Sequence, residues 1–459
     1  MNITKKILSI SKNAFYRVKD HQLKMKLLQA IPFWTASLLT GVVAVLYTKL
    51  FQFAEKGTLY IVSNHFLLIF FLIPVCFISS WWLVNYYSPE ARGSGIPQVM
   101  AAVELSSPKN RPFVNKLLSL RVIVVKILSS LIMALGGGTI GREGPTIQIA
   151  ASIFTMINNI LPKWWPKVSG KNMILTGAAA GLAAAFNTPL GGIVFAVEEL
   201  SKSHISYFKS ALFTAVIIAG LTAKSFLGPY LYLGFPKIAD TSNYIFLSVM
   251  LVSIIAGLSG SLMSKIIILI FKWKMKFKFN FHHILYLLFC SLLIAFLAYF
   301  VNSKILGSGK ELITHSLFTS DKHIPSYLPF LRMGSNILSF TTGAAGGVFA
   351  PALSIGANIG AVLSSLINLS PDDTNLIILC GMVAFLTGVT RTPFTSAILV
   401  LEMTDRHSII FHLMLASMIA NFISILIDKV SLYDRLKDQI IETLPNKKET
   451  LINNNPLTI

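Results

Sequence analysis

Gly136-Gly137-Gly138-Thr139-Ile140-Gly141-Arg142-Glu143-Gly144-Pro145 lies between two apolar stretches, and its reading decides the fold. Glycine lets the backbone turn sharply. Proline fits the first turn of a helix because its missing N–H would be unpaired there anyway. The run therefore reads as a helix that starts inside an apolar environment. Non-helical backbone at membrane depth is tolerated only where it is buried in protein or lines a cavity. A carboxylate at such a place is costly and marks function by default. At a helix start Glu143 can accept the N–H groups that a bound anion would use. It reads as a tethered competitor of an anionic substrate, released by protonation. Arg142 beside it is either a plain ion-pair partner or a source of positive potential.

The same pattern recurs in the second half of the chain. Gly141-Arg142-Glu143-Gly144-Pro145 lies 206 positions before Gly347-Val348-Phe349-Ala350-Pro351, and Gly93-Ser94-Gly95 lies 214 positions before Gly307-Ser308-Gly309. Phe186-Asn187-Thr188-Pro189 through Glu198 lies 204 positions before Thr390-Arg391-Thr392-Pro393 through Glu402, with a glutamate nine residues after each proline. The three matches keep their order, which recurrence of Gly and Pro at helix ends does not require. Transporters are often built from inverted repeats with the site at the repeat interface. The expected organisation is a cytoplasmic or interfacial helix over 1–29, a first membrane repeat over 30–230, a second over 240–440 and a polar cytoplasmic tail over 441–459. The fold class is an all-α polytopic membrane protein, two inverted-topology repeats of tilted, partly discontinuous helices.

Composition agrees. Hydrophobic residues make up 54% of the chain and charged residues 13%, with mean hydropathy +0.68. A soluble domain carries roughly 25% charge. No Asp, Glu, Lys or Arg falls in Gly57–Pro89, Asn172–Val197, Thr241–Ser264, Phe279–Ser303 or Met333–Pro371. A span needs about 20 apolar residues, so these and similar runs give roughly ten to fourteen hydrophobic segments. The net charge of +20 argues for a membrane and against nucleic acid, because the basic residues sit in short loops: Lys109, Arg111, Lys116 and Arg121; Lys163, Lys167 and Lys171; Lys272, Lys274, Lys276 and Lys278. Such clusters mark the cytoplasmic side. With Lys5, Lys6, Lys12, Arg17 and Lys19 at one end and Lys447 and Lys448 at the other, both termini are expected inside, after an even number of crossings. Residues 1–30 lack a small-residue cleavage site and read as an interfacial helix, not a removable signal peptide. Cys76, Cys290 and Cys380 are far apart in apolar surroundings and form neither a metal-spaced pair nor a disulfide framework; neither metal nor cofactor is implied.

Three helix starts, at Gly93–Gln98, Gly136–Pro145 and Thr341–Pro351, aimed at one point could hold a partly dehydrated halide without a lysine that would grip it too tightly. Conduction needs binding that is favourable yet escapable. Glu198 and Glu199 end an apolar helix just before Lys202. Glu198 reads as a solvated helix end; Glu199, whose repeat partner is Met403, is equally compatible with a solvated end and with a role in transport.

These motifs closely resemble those of the CLC family of chloride channels and chloride/proton exchangers, over about residues 30–440. Gly93-Ser94-Gly95-Ile96-Pro97, Gly141-Arg142-Glu143-Gly144-Pro145 and Gly346-Gly347-Val348-Phe349-Ala350-Pro351 match its three anion motifs in order. The resemblance implies a homodimer with one pore per subunit in a cell membrane, such as a bacterial inner membrane. It gives the Ser94 hydroxyl and the Val348 and Phe349 amides to a central anion, with Gly95, Ile96 and Ala350 in the same linings. Tyr433 would close the inner side. Glu143 would be the external gate, with amides from Arg142 to Gly144 lining the outer site. Glu199 would be the internal proton-transfer acid of coupled members. Ser94 in place of proline is similar to chloride-preferring members, and Gln98 departs from the usual glutamate. The absence of nucleotide-binding-type domains after the membrane part resembles short prokaryotic members. Chloride and protons are thus the expected substrates. A passive channel of the same family is the alternative; a fluoride exchanger fits the Ser94/Tyr433 pair poorly. An intramembrane enzyme using Glu143 as base lacks a catalytic partner.

Overall fold

In hydrocarbon an apolar segment must satisfy its own N–H and C=O groups, and the helix does so within one segment. The computed structural model describes residues 21–442 apart from 163, 202–208, 229–231, 239–244, 278 and 320–321. The N-terminal segment before residue 21 and the tail from 443 lie outside the described residues, as does Lys163.

The long apolar helices of the first half are α1 (His21–Asn64), α2 (Ile69–Tyr87), α5 (Leu120–Leu135), α6 (Glu143–Ile160), α7 (Gly170–Phe186) and α9 (Lys209–Leu227), with the short α3 (Ile96–Glu104), α4 (Arg111–Leu117) and α8 (Pro189–Phe195) between them. The second half contains α10 (Ile245–Lys274), α11 (Asn280–Phe300), α12 (Lys310–Phe318), α13 (Leu328–Thr341), α14 (Phe349–Leu366), α15 (Pro371–Thr390), α16 (Pro393–Thr404), α17 (Ile410–Ile427) and α18 (Leu432–Glu442). Among the described residues nine helices are long and apolar enough to cross a membrane, fewer than the ten to fourteen apolar segments read from sequence. The difference lies in pieces such as α3, α8 and α16, which are apolar but too short to span.

The repeat is visible element by element. Helices α3 and α12 have nine residues each and follow a left-handed glycine, Gly95 or Gly309; α6 and α14 have eighteen residues each. Helices α7 and α15 both end on a left-handed residue, Asn187 or Arg391. Repeat-equivalent glycines meet: Gly141 N–H donates to Gly347 O at 2.8 Å, Gly347 N–H donates to Gly141 O at 2.7 Å, and the strands run antiparallel there. Reciprocal contact between equivalent residues is the signature of a two-fold relation, so a local two-fold axis passes between these glycines.

A second reciprocal contact corrects the reading of Glu198. Its carboxylate does not end in solvent. It accepts the N–H groups of Phe394 and Thr395, at 3.1 and 2.7 Å, and the Thr395 hydroxyl, at the start of α16. Glu402 returns the contact, accepting Leu190 and Gly191 N–H, at 3.1 and 2.9 Å, at the start of α8. Each half caps the other's helix with a glutamate, complementing free donors and the positive end of the dipole. Sequence could place each acid at a helix end, but not show that the opposite helix begins beside it.

The core is built around α14 and α15. The apolar window of α15 is 94% buried inside the protein, so this helix is sheathed by others and not by lipid. Gly356 on α14 and Gly381 on α15 let the two backbones touch; a β-carbon on either would strike the other's carbonyl oxygen. Close approach through small residues is how membrane helices gain packing energy when lipid is as apolar as the side chains.

Candidate anion site

The starts of α3, α6 and α14 meet at one place. Gly93 N–H donates to Ala344 O and Gly346 N–H to Gly93 O, at 3.0 and 3.1 Å, joining the loop before α3 to the loop before α14. The Gly141–Gly347 pair joins α6 to α14. Ser94, Gly95, Ile96, Arg142, Glu143, Gly144, Val348, Phe349 and Ala350 are all buried in this junction. Gly95, with φ +98°, turns the chain into α3, and a β-carbon there would strike Gln148.

Tyr433 enters from α18, whose start is capped by the Ser431 hydroxyl accepting Asp434 N–H at 3.0 Å. It is fully buried, with its ring stacked on Phe349 at 6.2 Å and 11°. The Ser94 and Tyr433 hydroxyls face each other, both buried and neither in a formed hydrogen bond. Two hydroxyls beside free helix-start amides make a donor-rich pocket, since a hydroxyl can turn its hydrogen toward an anion. Gly144 is needed here because a β-carbon would collide with Ser94 Oγ.

Glu143 is buried in the first turn of α6, in the same junction. Its carboxylate interacts with its own N–H and that of Ala350. Arg142 Nε is 3.9 Å from Glu143 Oε1, a loose ion pair. The carboxylate lies so close to Gly141 that a β-carbon on that residue would overlap Oε2. Beyond it a cleft of about 20 Å³ is lined by Phe51, Glu55, Arg142, Tyr232, Ser308 and Lys310, among others. Gln52, Glu55, Ser308 and Lys310 also line an adjoining cavity of about 660 Å³.

Glu199 stands apart from the three helix starts. It is buried, within electrostatic reach of Tyr433, and lies in a π-helical turn over Ala196–Ser201 that continues α8. Such turns often occur at functional sites. Gln98 is also buried; its Nε2 donates to Arg92 O at 2.7 Å, which ties down the loop before α3.

Sequence reasoning took Lys274 for a loop residue, whereas it is buried at the end of α10 and donates to Thr341 O and Thr342 O, and it missed two further buried cations altogether. Lys126 Nζ donates to Gly93 O at 2.9 Å, and its repeat counterpart Arg332 donates through Nη2 to Gly307 O at 3.1 Å. Each cation holds a loop carbonyl at a glycine-serine-glycine start. The rule applied to Glu143, that a charge within an apolar segment has a task, would have found both. Tyr232 carried no such signal, because its place beside Glu143 depends on the tertiary fold; Glu55, an acid within the Leu28–Asn64 span, carried it and was passed over.

Fold and site together define a polytopic membrane transport protein of the double-repeat, broken-helix kind. A family model described as voltage gated chloride channel matches residues 75–425, and the chain belongs to that family. Solved structures share the fold. A slow cyanobacterial Cl⁻/H⁺ antiporter superposes with a TM-score of 0.78 at 22% identity, covering 91% of this chain and 98% of its own. A CLC-type fluoride/proton antiporter gives 0.75 at 22%, covering 91% and 99%. A eukaryotic CLC transporter gives 0.71 at 20%, covering 90% and 74%.

Proposed function

We propose that this chain exchanges chloride, or a similar small monovalent anion, for protons across a cell membrane. The observation that carries the reading is the place of Glu143: a buried acid at the start of α6, in the junction where the starts of α3 and α14 meet and where Tyr433 stacks on Phe349. A carboxylate and a halide compete for one set of donors. When Glu143 is ionised it plugs the outer position; when protonated it loses its hold on the amides and leaves, carrying the proton. Glu199, buried in the π-helical turn on the Tyr433 side, passes protons between the cytoplasm and Glu143, so anion and proton move in opposite directions.

Both similar antiporters couple an anion to protons, one chloride and one fluoride. The Ser94/Tyr433 pair favours chloride here. A passive channel is the second reading, and buried Glu199 argues against it, since a channel has no use for an internal acid. The working unit is a homodimer with one pore per subunit, placed with both termini in the cytoplasm, as in a bacterial inner membrane.

The test is flux from liposomes under an imposed chloride gradient, with anion and pH recorded together. The wild-type protein is expected to drive protons uphill. Glu143→Gln is expected to abolish that pumping and keep anion flux. Proton pumping that survives this change would overturn the mechanism.

A further inference from the structure

Glu55 is an acid within the Leu28–Asn64 span, and the mechanism proposed above gives it no task. An acid at such a place is costly and has one by default. It lies on α1, half-buried, and its Oε1 accepts Ser308 N–H at 2.9 Å, at the second-half counterpart of Ser94. Both partners of this contact are fastened. Further along α1 the Thr58 hydroxyl donates to Leu135 O at 2.8 Å. The loop that carries Ser308 is held by Gly307 N–H donating to Gly137 O at 3.0 Å, and by Arg332 donating to Gly307 O.

Glu55 and Glu143 line the same cleft of about 20 Å³. A space of that size takes about one water molecule, provided polar groups surround it. Gln52, Arg142, Ser308 and Lys310 stand there beside the two acids. The adjoining cavity of about 660 Å³ is lined by Glu55 but not by Glu143. Gln52, Ser308 and Lys310 also line both spaces. An ammonium has no lone pair to accept a proton, and a neutral amide or hydroxyl is a poor base beside a carboxylate. Among the described residues, Glu55 is therefore the acid that stands between Glu143 and the cavity. One amide contact does not exhaust it, because a carboxylate has about four acceptor sites.

We propose that Glu55 is the proton-transfer partner of Glu143 on the cavity side, working through one water in the cleft the two acids share. The inference rests on Glu143 being the coupling gate. The protonated Glu143 carboxyl gives its proton to the water, which passes one of its own to the Glu55 carboxylate. One O–H bond breaks and one forms at each transfer, so Glu143 ends ionised and Glu55 neutral. Glu55 then releases the proton to water in the larger cavity and is ionised again. Proton uptake runs the same steps in reverse. The competing explanation is a plain cap on the start of α12, a task that a neutral amide performs as well as a carboxylate.

The experiment measures the rate of coupled exchange in liposomes. Glu55→Gln keeps an acceptor for Ser308 N–H and removes the proton carrier. It is expected to slow exchange by about tenfold or more, with protons per anion retained because Glu143 is intact. Imidazole added at constant pH, a small buffer able to carry the proton instead, is expected to restore much of the rate in this variant and to leave the wild type as it was. In the Glu143→Gln background, where no proton is carried, the slowing is expected to vanish. Size-exclusion profiles show which variants fold, and Glu55→Ala is read in the same way if Glu55→Gln does not. A wild-type rate, a slow rate that imidazole does not lift, or equal slowing in both backgrounds overturns the proposal. Glu143→Gln keeps the two readings apart: if it fails to uncouple, the gate itself is wrong; if it uncouples and Glu55→Gln exchanges at the wild-type rate, only the relay is wrong.

Discussion

The starts of α6 and α14 occupy equivalent places in the two halves and differ in chemistry. One reads Gly141-Arg142-Glu143-Gly144-Pro145 and the other Gly347-Val348-Phe349-Ala350-Pro351. The glycines exchange hydrogen bonds as equals, yet only the first start carries an acid. The same holds further on: Glu198 and Glu402 clasp each other's helices, whereas Glu199 is answered by Met403. The first acid pair keeps the repeat symmetry and the second breaks it. What repeats (the glycine pair, the cation-held loops at Lys126 and Arg332, the glutamate clasp) builds the scaffold. What does not repeat, at positions 143 and 199 and in α18 with Tyr433, carries the chemistry in the proposed mechanism. A two-fold scaffold alone treats both sides of the membrane alike, and in the proposed mechanism the unrepeated acids are what distinguishes them.

The sharpest way to break this division is at the unrepeated acid. Glu199→Gln is expected to cut coupled proton flux by at least about tenfold, the scale on which positioned proton carriers act, with anion flux retained. Met403→Leu, at the equivalent place, should leave coupling as it was. Simultaneous pH and chloride recording from liposomes decides it; equal effects at 199 and 403 would end the distinction.

A smaller and more geometric effect is expected at the glycine pair. A β-carbon at Gly141 would overlap Glu143 Oε2, the far end of a movable side chain, and meet Ala350 N at 3.2 Å, whereas at Gly347 it would meet Gly141 O and Gly144 N at 3.3 Å and no carboxylate. Gly141→Ala should therefore push the carboxylate out of its seat and lower protons per anion with the acid still present. Both variants press on backbone at similar distances and should cost similar stability, but Gly347→Ala displaces no carboxylate and is expected to leave the coupling ratio unchanged. The paired readout is coupling ratio against thermal midpoint in detergent, and a loss of coupling confined to Gly347→Ala would reverse the assignment.

The clasp should behave as scaffold. Removing Glu198 or Glu402 strips a partner from two backbone donors at a helix start, and each Ala variant is expected to lose about 1–3 kcal/mol. The two losses should be similar, and stoichiometry among the surviving folded molecules should stay unchanged. A clear coupling defect in either variant would move that glutamate to the functional side.

How much of this was legible in the sequence follows the same division. The helix starts at Ser94, Glu143 and Phe349 were readable because glycine and proline announce local backbone geometry, and because an acid in an apolar run stands out. The repeat was readable because its motifs keep their order. The clasp was not, since Glu198 looks like any acid at a helix end until the opposite helix start is known. The π-helical turn that follows α8 was equally hidden: Val197-Glu198-Glu199 and Leu401-Glu402-Met403 look interchangeable in hydrophobicity up to the last residue. Tyr232 reaches Glu143 only through tertiary folding, and Glu55 and Lys126 were passed over although their apolar surroundings advertised them.

Among the described residues helix α18 has no first-half counterpart, and how it is fastened gives the smallest expected effect. Asp428 links α17 to α18, accepting Arg435 Nε and Nη2 at 3.0 and 2.7 Å and Val430 N–H at 3.0 Å. Burial alone would raise this carboxyl, but the hydrogen bonds and charge of Arg435, with Val430 and Arg391, outweigh it and hold its pKa below the ordinary aspartate value of 3.8. A carboxyl whose folded pKa is depressed contributes stability that is full above the unfolded value and fades as pH falls through the folded one. The Arg435 side chain is 35% exposed, so solvent screening keeps the contribution small. Thermal midpoints in detergent should decline as pH falls from about 5 toward 3, and Asp428→Asn should flatten that part of the slope and leave the midpoint near neutrality slightly lower. Because α18 delivers Tyr433 to the anion site, the same variant is expected to weaken anion dependence slightly without touching the proton ratio. If it altered the ratio instead, Tyr433 would have to be counted with the acids and not with the donors.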